Sequence, residues 1–151
     1  MKISILYGTQ TGNAEMLADD IQSALEADHE VACADLAETE PASLTGEEFV
    51  IIVCSTYGDG ELPASAQPFV AKLEAGAFDL TNVRFAVFGL GDSEYADTFA
   101  FGSKKIAEKL VACGAVQVGP RLTHDASGGD MAEEVALPWV ETIIQEMTEN
   151  V

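Results

Sequence analysis

Positive charge is scarce in this sequence. Among 151 residues, Lys and Arg number 7 and Asp and Glu number 26, so that the formal net charge is −19. Binding to nucleic-acid phosphates or to anionic membranes requires a basic surface, so we expect neither nucleic acid nor membrane as a partner. The acidity favours a basic protein partner attracted over long range, although solubility alone accounts for it equally well.

Cysteine and histidine are also rare. The three cysteines, Cys33, Cys54 and Cys113, are far apart and form no Cys-x-x-Cys pair, which argues against zinc, iron–sulfur and thioredoxin chemistry. Unpaired thiols fit a reducing compartment, so we expect a cytoplasmic protein. No apolar run has transmembrane length, and no segment has the pattern of a secretory signal. His29 and His124 are single, and we interpret them as surface residues.

Apolar segments of strand length alternate with segments of helical period. Phe49–Ser55 and Arg84–Gly89 are continuous apolar runs, typical of strands buried on both faces of a parallel sheet. The order predicts one α/β domain over residues 1–151, a doubly wound five-stranded parallel sheet with helices on both faces. Pro138 indicates a kink or a later start of the last helix, and Trp139 is predicted to pack in the core. The other predicted elements are the strands Lys2–Tyr7, Glu30–Asp35 and Ala115–Val118 and the helices Asn13–Glu26, Gln67–Glu74, Gly102–Ala112 and Met131–Met147.

The loop after the first strand, Thr9-Gln10-Thr11-Gly12-Asn13, combines hydroxyls, amides and glycine without any Lys or Arg. Helix N-termini bind phosphate through unpaired backbone N–H groups, and these side chains can donate further hydrogen bonds. Gly12 is expected to let the backbone approach a ligand, and Asn13 to cap the helix. The missing lysine argues against a nucleoside triphosphate. The loop therefore predicts a phosphate site without a cation; the alternative is a well-capped turn with no ligand.

Two further specialised loops follow strands three and four, where open parallel sheets bind their ligands. The second loop, 55–63, presents Tyr57 as a flat face for stacking a ring, or is a glycine-rich turn whose tyrosine covers the core. The third loop, 89–95, presents Tyr95. It lacks one glycine of the dinucleotide fingerprint and follows the wrong strand, which argues against NAD. Two tyrosines beside a phosphate loop predict a flat, phosphorylated ring system.

With these three loops in this strand order, the chain resembles the flavodoxins and the FMN domains of diflavin reductases such as the sulfite reductase flavoprotein. The likeness covers essentially the whole chain and implies strand order 2-1-3-4-5, the topology known for flavodoxin, with FMN at the switch point. It implies that Tyr57 stacks on the inner flavin face, that Tyr95 stacks on the outer face and that the Gly58 carbonyl responds to reduction. Ala14 stands where the family often has a second hydroxyl. The residues implied to contact FMN are Thr9, Gln10, Thr11, Gly12, Asn13, Ala14, Ser55, Thr56, Tyr57, Gly58, Asp59, Gly60, Gly89, Leu90, Gly91, Asp92, Tyr95 and Phe99.

The resemblance implies a low-potential one-electron carrier rather than an enzyme. Such a protein binds FMN non-covalently and uses the semiquinone/hydroquinone couple to shuttle electrons between a flavin reductase and acceptor enzymes. We expect these partners to present basic faces and the carrier to be a monomer. The short last strand leaves no room for the insertion of long-chain flavodoxins, which indicates a short-chain form. Carboxylates expected near the ring are those of Asp59, Glu61, Asp92, Glu94 and Asp97.

Two alternatives stay open. An FMN-dependent NAD(P)H:quinone-type reductase shares the fold and the cofactor, and Ala14 keeps open a flavodoxin-fold interaction scaffold with weak FMN binding. A phosphoacceptor signalling domain has the same topology but needs acidic residues where this chain has Ser55 and Thr9-Gln10. That third interpretation is therefore rejected.

Overall fold

The computed structural model of the protein describes residues 2–9, 12–40, 44, 49–55, 62–76, 79–81, 83–91, 101–119, 121–125 and 131–149. A short 3₁₀ turn covers Leu36–Glu38. The strands are β1 (Lys2–Gly8), β2 (Glu30–Asp35), β3 (Phe49–Ser55), β4 (Arg84–Gly91), β5 (Val116–Gln117) and β6 (Leu122–Asp125), and the helices are α1 (Asn13–Leu25), α2 (Gln67–Ala75), α3 (Phe101–Ala112) and α4 (Ala132–Glu149).

The strands form one parallel sheet in the order β2-β1-β3-β4-β5, which confirms the predicted fold class and topology. The two continuous apolar runs, β3 and β4, lie in the interior of this order, where both faces are covered. Strand β2, whose residues are only partly buried, lies at one edge. The alternation of apolar strands and amphipathic helices thus predicted the order correctly, because each helical crossover returns the chain to a parallel neighbour.

The last strand differs from its predicted form. In place of one strand over Ala115–Val118, two segments pair in parallel with β4: Val116 is opposite Arg84 in β5, and Leu122 is opposite Phe88 in β6. Residues 118–121 separate them, and Gly119 within this break has φ +69°. Strand β6 escaped prediction because Leu122 is its only apolar residue. The break is too short to hold a long insertion.

Side chains that alternate along the central strands divide the core between the two faces of the sheet. Ile52 and Cys54 of β3 belong to the cluster that packs against α2 and α3. Ile51 and Val53 belong to the cluster that packs against α1 and α4. Each fully buried aliphatic side chain contributes about 1.5–3 kcal/mol, so the two clusters together fix the sheet register on both sides.

Helix α4 runs through Pro138 instead of starting after it. The prediction of a later start was therefore wrong. The proline ring is exposed, while Ala136 and Val140 on the same helix are buried, so the apolar face holds the helix together across the missing N–H. Trp139 packs with its ring centroid 5.5 Å from that of Phe88, which confirms its predicted place in the core. Within the described ranges, no helix is long and apolar enough to cross a membrane.

Candidate functional site

Strand register brings the starts of the three specialised loops side by side. Gly8, the last residue of β1, is opposite Cys54 of β3, and Cys54 is opposite Gly89 of β4. Leu90 is in turn opposite Ser55. Because the strands are parallel, all three loops leave the sheet at its carboxyl edge, where open α/β sheets bind ligands.

Helix α1 begins at this edge with an unusual cap. Gly12 occupies the N-cap position with φ +98° and ψ −5°, and no side chain of the residues that the structure places caps the helix. The Gly12 N–H donates a 2.7 Å hydrogen bond to the Thr9 hydroxyl. The prediction that Asn13 caps the helix was wrong, because Asn13 is already the first helical residue. A left-handed backbone here favours glycine, which has no side chain with which to accept from the first-turn N–H groups.

The space beside this cap suits an anion. A Cβ built on Gly12 meets no atom of the described residues within 4 Å. The N–H groups of the first helical turn have no acceptor inside a helix, and the helix dipole places positive charge at this end. The stretch Thr9–Glu15 contains no Lys or Arg. A phosphate group fits these donors and needs no cationic side chain to be held there.

Ser65, which the sequence did not single out, supports the same loop. The Thr9 N–H donates to the Ser65 hydroxyl over 2.7 Å, and the Ser65 N–H donates to the Thr9 carbonyl over 3.3 Å. The Ser55 hydroxyl donates to the Gly8 carbonyl over 3.3 Å. The first loop is thus joined to both flanks of the second: to Ser55, which ends β3, and to the turn that precedes α2.

Ala14 does not line the open space with its side chain. It is fully buried in the apolar cluster beneath α1. A contact with a bound phosphate is left to its backbone N–H, which lies in the first turn of the helix. At this position the chain therefore offers a backbone donor and no side-chain donor.

The start of the third loop is built from a close contact between β4 and α3. A Cβ on Gly89 would stand 2.1 Å from the Ser103 hydroxyl oxygen, and Ser103 is fully buried. The Arg121 guanidinium donates a 2.8 Å hydrogen bond to that same oxygen. The missing side chain of Gly89 is therefore explained by Ser103, and any flavin contact of Gly89 falls to its backbone. Leu90 packs against the apolar cluster on the opposite face.

The remaining predicted contacts lie outside what the structure describes. Gly91 and Asn13 are placed by their backbone alone, as the last residue of β4 and the first of α1. The roles of these two residues as FMN contacts stay predictions. The same holds for the predicted contacts that lie outside the described ranges. Those outside the described ranges are Gln10, Thr11, Thr56, Tyr57, Gly58, Asp59, Gly60, Asp92, Tyr95 and Phe99.

Negative charge is concentrated at the carboxyl edge of β1 and β2. Burial, the carboxylates of Glu15 and Asp35 and the Cys33 thiol together raise the pKa of Tyr7 to about 12. The Tyr7 hydroxyl also donates a hydrogen bond to Glu15. Burial followed by nearby Asp19 and Glu15 raises the pKa of Cys33 to about 11. The environment of these groups therefore opposes the formation of any further anion.

The two histidines, interpreted from the sequence as surface residues, lie at partly buried positions. His29 is half-buried, and its Nδ1 has no hydrogen-bond partner within the described part of the chain. His124 lies in β6 opposite Leu90, also half-buried. Among the residues that the structure places, no group of three or more His, Cys, Asp or Glu side chains could hold a metal ion.

Comparison with known proteins identifies similar chains over nearly the whole length. The Flavodoxin family model matches residues 5–139. The MioC homolog of Haemophilus influenzae is 34% identical over 145 residues, 96% of this chain and 98% of that protein. The sulfite reductase [NADPH] flavoprotein alpha-component of Bacillus subtilis is 32% identical over 150 residues, which are 98% of this chain but 24% of that protein. The crystal structure of oxidised flavodoxin 2 from Bacillus cereus superposes with a TM-score of 0.84 at 32% identity and covers 97% of this chain and 99% of that chain.

Proposed function

This chain belongs to the flavodoxin family, and we propose that it is a low-potential one-electron carrier. FMN is the cofactor of the family and of this chain. We propose that the protein binds FMN non-covalently and passes electrons from a reductase to acceptor enzymes through the semiquinone/hydroquinone couple. The relatives that are reductases are several times longer than this chain, so their activities are not carried over with the family.

The cap of α1 is the observation that carries this proposal. It offers the backbone N–H groups of a helix start beside Gly12, a space that no described atom fills and a Thr9 hydroxyl held by the Gly12 N–H. The loop contains no Lys or Arg, so no cationic side chain of the loop offsets the negative charge of an anion bound here. The phosphate of FMN matches these donors, and its ring would extend toward the loops that follow β3 and β4.

The charge of the protein supports a low potential. Reduction of a bound flavin to its anionic form adds negative charge at an edge where Glu15 and Asp35 already oppose ionisation of Tyr7. One carboxylate about 10 Å away, at an effective dielectric constant near 20, disfavours that charge by about 1.7 kcal/mol. For a one-electron couple this free energy corresponds to about 70 mV, so several carboxylates would make the reduced flavin a strong electron donor.

The same charge indicates the kind of partner. A net charge of −19 steers a basic face toward the protein over long range, and the steering weakens as salt is added. We propose basic-faced reductase and acceptor enzymes as partners, with the carrier acting as a monomer that catalyses no turnover alone. All three cysteines are free thiols, which fits a cytoplasmic setting.

Reconstitution with FMN followed by a spectroscopic redox titration tests the proposal. We expect a flavin spectrum after removal of free FMN, two separate one-electron steps and a second step at strongly negative potential. Steady NADPH consumption without a partner enzyme would instead indicate the quinone-type reductase. Failure to retain any FMN would indicate the interaction scaffold, and a single two-electron step would contradict the carrier mechanism.

A further inference from the structure

Strand β4 and helix α3 meet in a tight contact. Gly89 lies two residues before the end of β4, and Ser103 lies two residues after the start of α3. The Ser103 hydroxyl oxygen would be 2.1 Å, and its Cβ 2.8 Å, from a Cβ placed on Gly89. Only a glycine allows helix and strand to meet this closely. The contact therefore fixes the end of β4 against the first turn of α3.

Arg121, at the neighbouring edge of the sheet, stabilises the contact between Gly89 and Ser103. Its guanidinium donates a 2.8 Å hydrogen bond to the fully buried Ser103 hydroxyl. The same guanidinium nitrogen would be 3.4 Å from a Cβ on Gly89. Arg121 can reach this point because it ends the break between β5 and β6, where the chain leaves the ladder and rejoins it.

The half-buried position of Arg121 is costly and therefore informative. A charged group removed from water needs hydrogen bonds that replace its hydration. On its outer side, Arg121 lines an open groove of about 280 Å³ together with Glu108 and Gln117. Its inner side reaches past the groove to Ser103. A surface cation that served only for solubility would have no reason to extend inward to a buried hydroxyl.

We propose that Arg121 is a positioning residue for flavin binding. Through Ser103 it holds Gly89, and with it the end of β4, which carries the predicted ring contacts Gly89, Leu90 and Gly91. This inference rests on the proposed FMN binding. It assigns Arg121 to the ring end of the cofactor, whereas Thr9 and Gly12 serve the phosphate end.

Riboflavin separates the two ends because it carries the ring without the phosphate. A variant that loosens the ring contacts raises the dissociation constants of FMN and riboflavin by the same factor. A phosphate-loop variant raises that of FMN alone. Apoprotein is titrated with each flavin, and dissociation constants are taken from the quenching of flavin fluorescence. Thermal unfolding of each apoprotein reports separately on the fold. The variants are Arg121→Gln, Arg121→Lys and Ser103→Ala, with Thr9→Ala as the phosphate-end comparison.

Arg84→Gln is the matched control, since Arg84 is an exposed arginine at the opposite end of the same strand, β4. We expect Arg121→Gln to raise both dissociation constants about tenfold, the size expected for loss of one charge-assisted hydrogen bond. Arg121→Lys should recover part of the loss for both flavins, because a lysine keeps the charge but not the fixed geometry of the guanidinium. Thr9→Ala should raise the dissociation constant of FMN only. Arg84→Gln should change the dissociation constant of neither flavin.

Ser103→Ala keeps the inference testable should Arg121→Gln not fold, because it removes the hydroxyl that accepts from Arg121 and favours the helix. We expect Ser103→Ala, too, to raise the dissociation constants of both flavins in parallel, by several-fold. The inference would be overturned if Arg121→Gln and Ser103→Ala both bind each flavin with a dissociation constant within twofold of that of the parent protein. Loss of FMN affinity with unchanged riboflavin affinity would also overturn it. A parent protein that binds neither flavin would instead contradict the proposed function.

Discussion

Thr9 and Ser65 exchange two hydrogen bonds across 56 positions of sequence. The Thr9 N–H donates to the Ser65 hydroxyl over 2.7 Å, and the Ser65 N–H donates to the Thr9 carbonyl over 3.3 Å. This pair ties the loop after β1 to the turn before α2. It also leaves the Thr9 hydroxyl free of the Ser65 contact, so that the hydroxyl can hold the Gly12 N–H.

Replacement of Ser65 by alanine should weaken FMN binding without contact between Ser65 and the cofactor. Ser65→Ala leaves the partly buried Thr9 N–H without its acceptor, which costs about 1–3 kcal/mol. We expect a several-fold rise in the FMN dissociation constant and little change for riboflavin, measured by fluorescence quenching. Ser65→Thr keeps the hydroxyl and serves as the control. Equal losses for both substitutions would show that packing, and not the hydrogen bond, is responsible.

Gly12 should tolerate asparagine better than alanine. Its φ of +98° is unfavourable for residues with a Cβ, by about 1–2 kcal/mol for alanine, and asparagine adopts left-handed conformations more readily. Urea unfolding of the apoproteins should therefore rank the parent above Gly12→Asn and Gly12→Ala lowest. The described atoms leave room for a Cβ, so the loss should reflect the backbone alone. An alanine variant as stable as the parent would mean that the loop adopts a different conformation in solution.

The sequence predicted the sheet well because the apolar pattern encodes it directly. Both runs buried on two faces, Phe49–Ser55 and the strand beginning at Arg84, were found, and the parallel order followed from the alternation with helices. Strand β6 was missed because its composition does not indicate a strand. It forms by pairing with β4, where Thr123 lies opposite Gly89. Pairing with an existing edge can override weak local propensity.

The site was predicted as residue types on loops, and the contacts that support those loops were not. Ser65 and Ser103 are single serines without a motif, and their importance comes from neighbours distant in sequence. Gly89 was predicted only as a contact of FMN, and its missing side chain is explained by Ser103. Asn13 was assigned as the cap on residue preference, but the left-handed turn at Gly12 shifts the cap by one position. Local patterns cannot carry such long-range information.

Gly89→Ala and Ser103→Gly should be strongly coupled. Alone, Gly89→Ala forces a methyl group against the Ser103 side chain, and overpacking of this kind costs about 1–3 kcal/mol. Ser103→Gly costs about 0.5 kcal/mol in helix propensity and also removes the acceptor of Arg121. The double variant should be more stable than the sum of the single effects by at least about 1 kcal/mol, as measured in a urea-unfolding cycle. Simple additivity would mean that β4 and α3 separate without cost.

Cys54 should make the protein sensitive to alkali. Burial raises the pKa of its thiol from 9.0 to about 12. Between these values the unfolded chain has lost the proton and the folded chain has kept it, so stability falls as pH rises, by about 1.4 kcal/mol per pH unit. The contribution is fully present below pH 9 and is lost as pH rises through that window.

Urea unfolding of the apoprotein at pH 8 and pH 10.5 measures this contribution. Cys54→Ala removes the titrating group, so its free energy of unfolding should fall less between the two pH values than that of the parent, by about 2 kcal/mol. Its lower stability at pH 8, caused by the lost sulfur volume, cancels in this difference. Cys113→Ala, at a half-buried thiol just after α3, is the control for thiol removal and should follow the parent closely. Parallel pH dependence in parent and Cys54→Ala would mean that the thiol ionises in the folded protein as readily as in the unfolded chain.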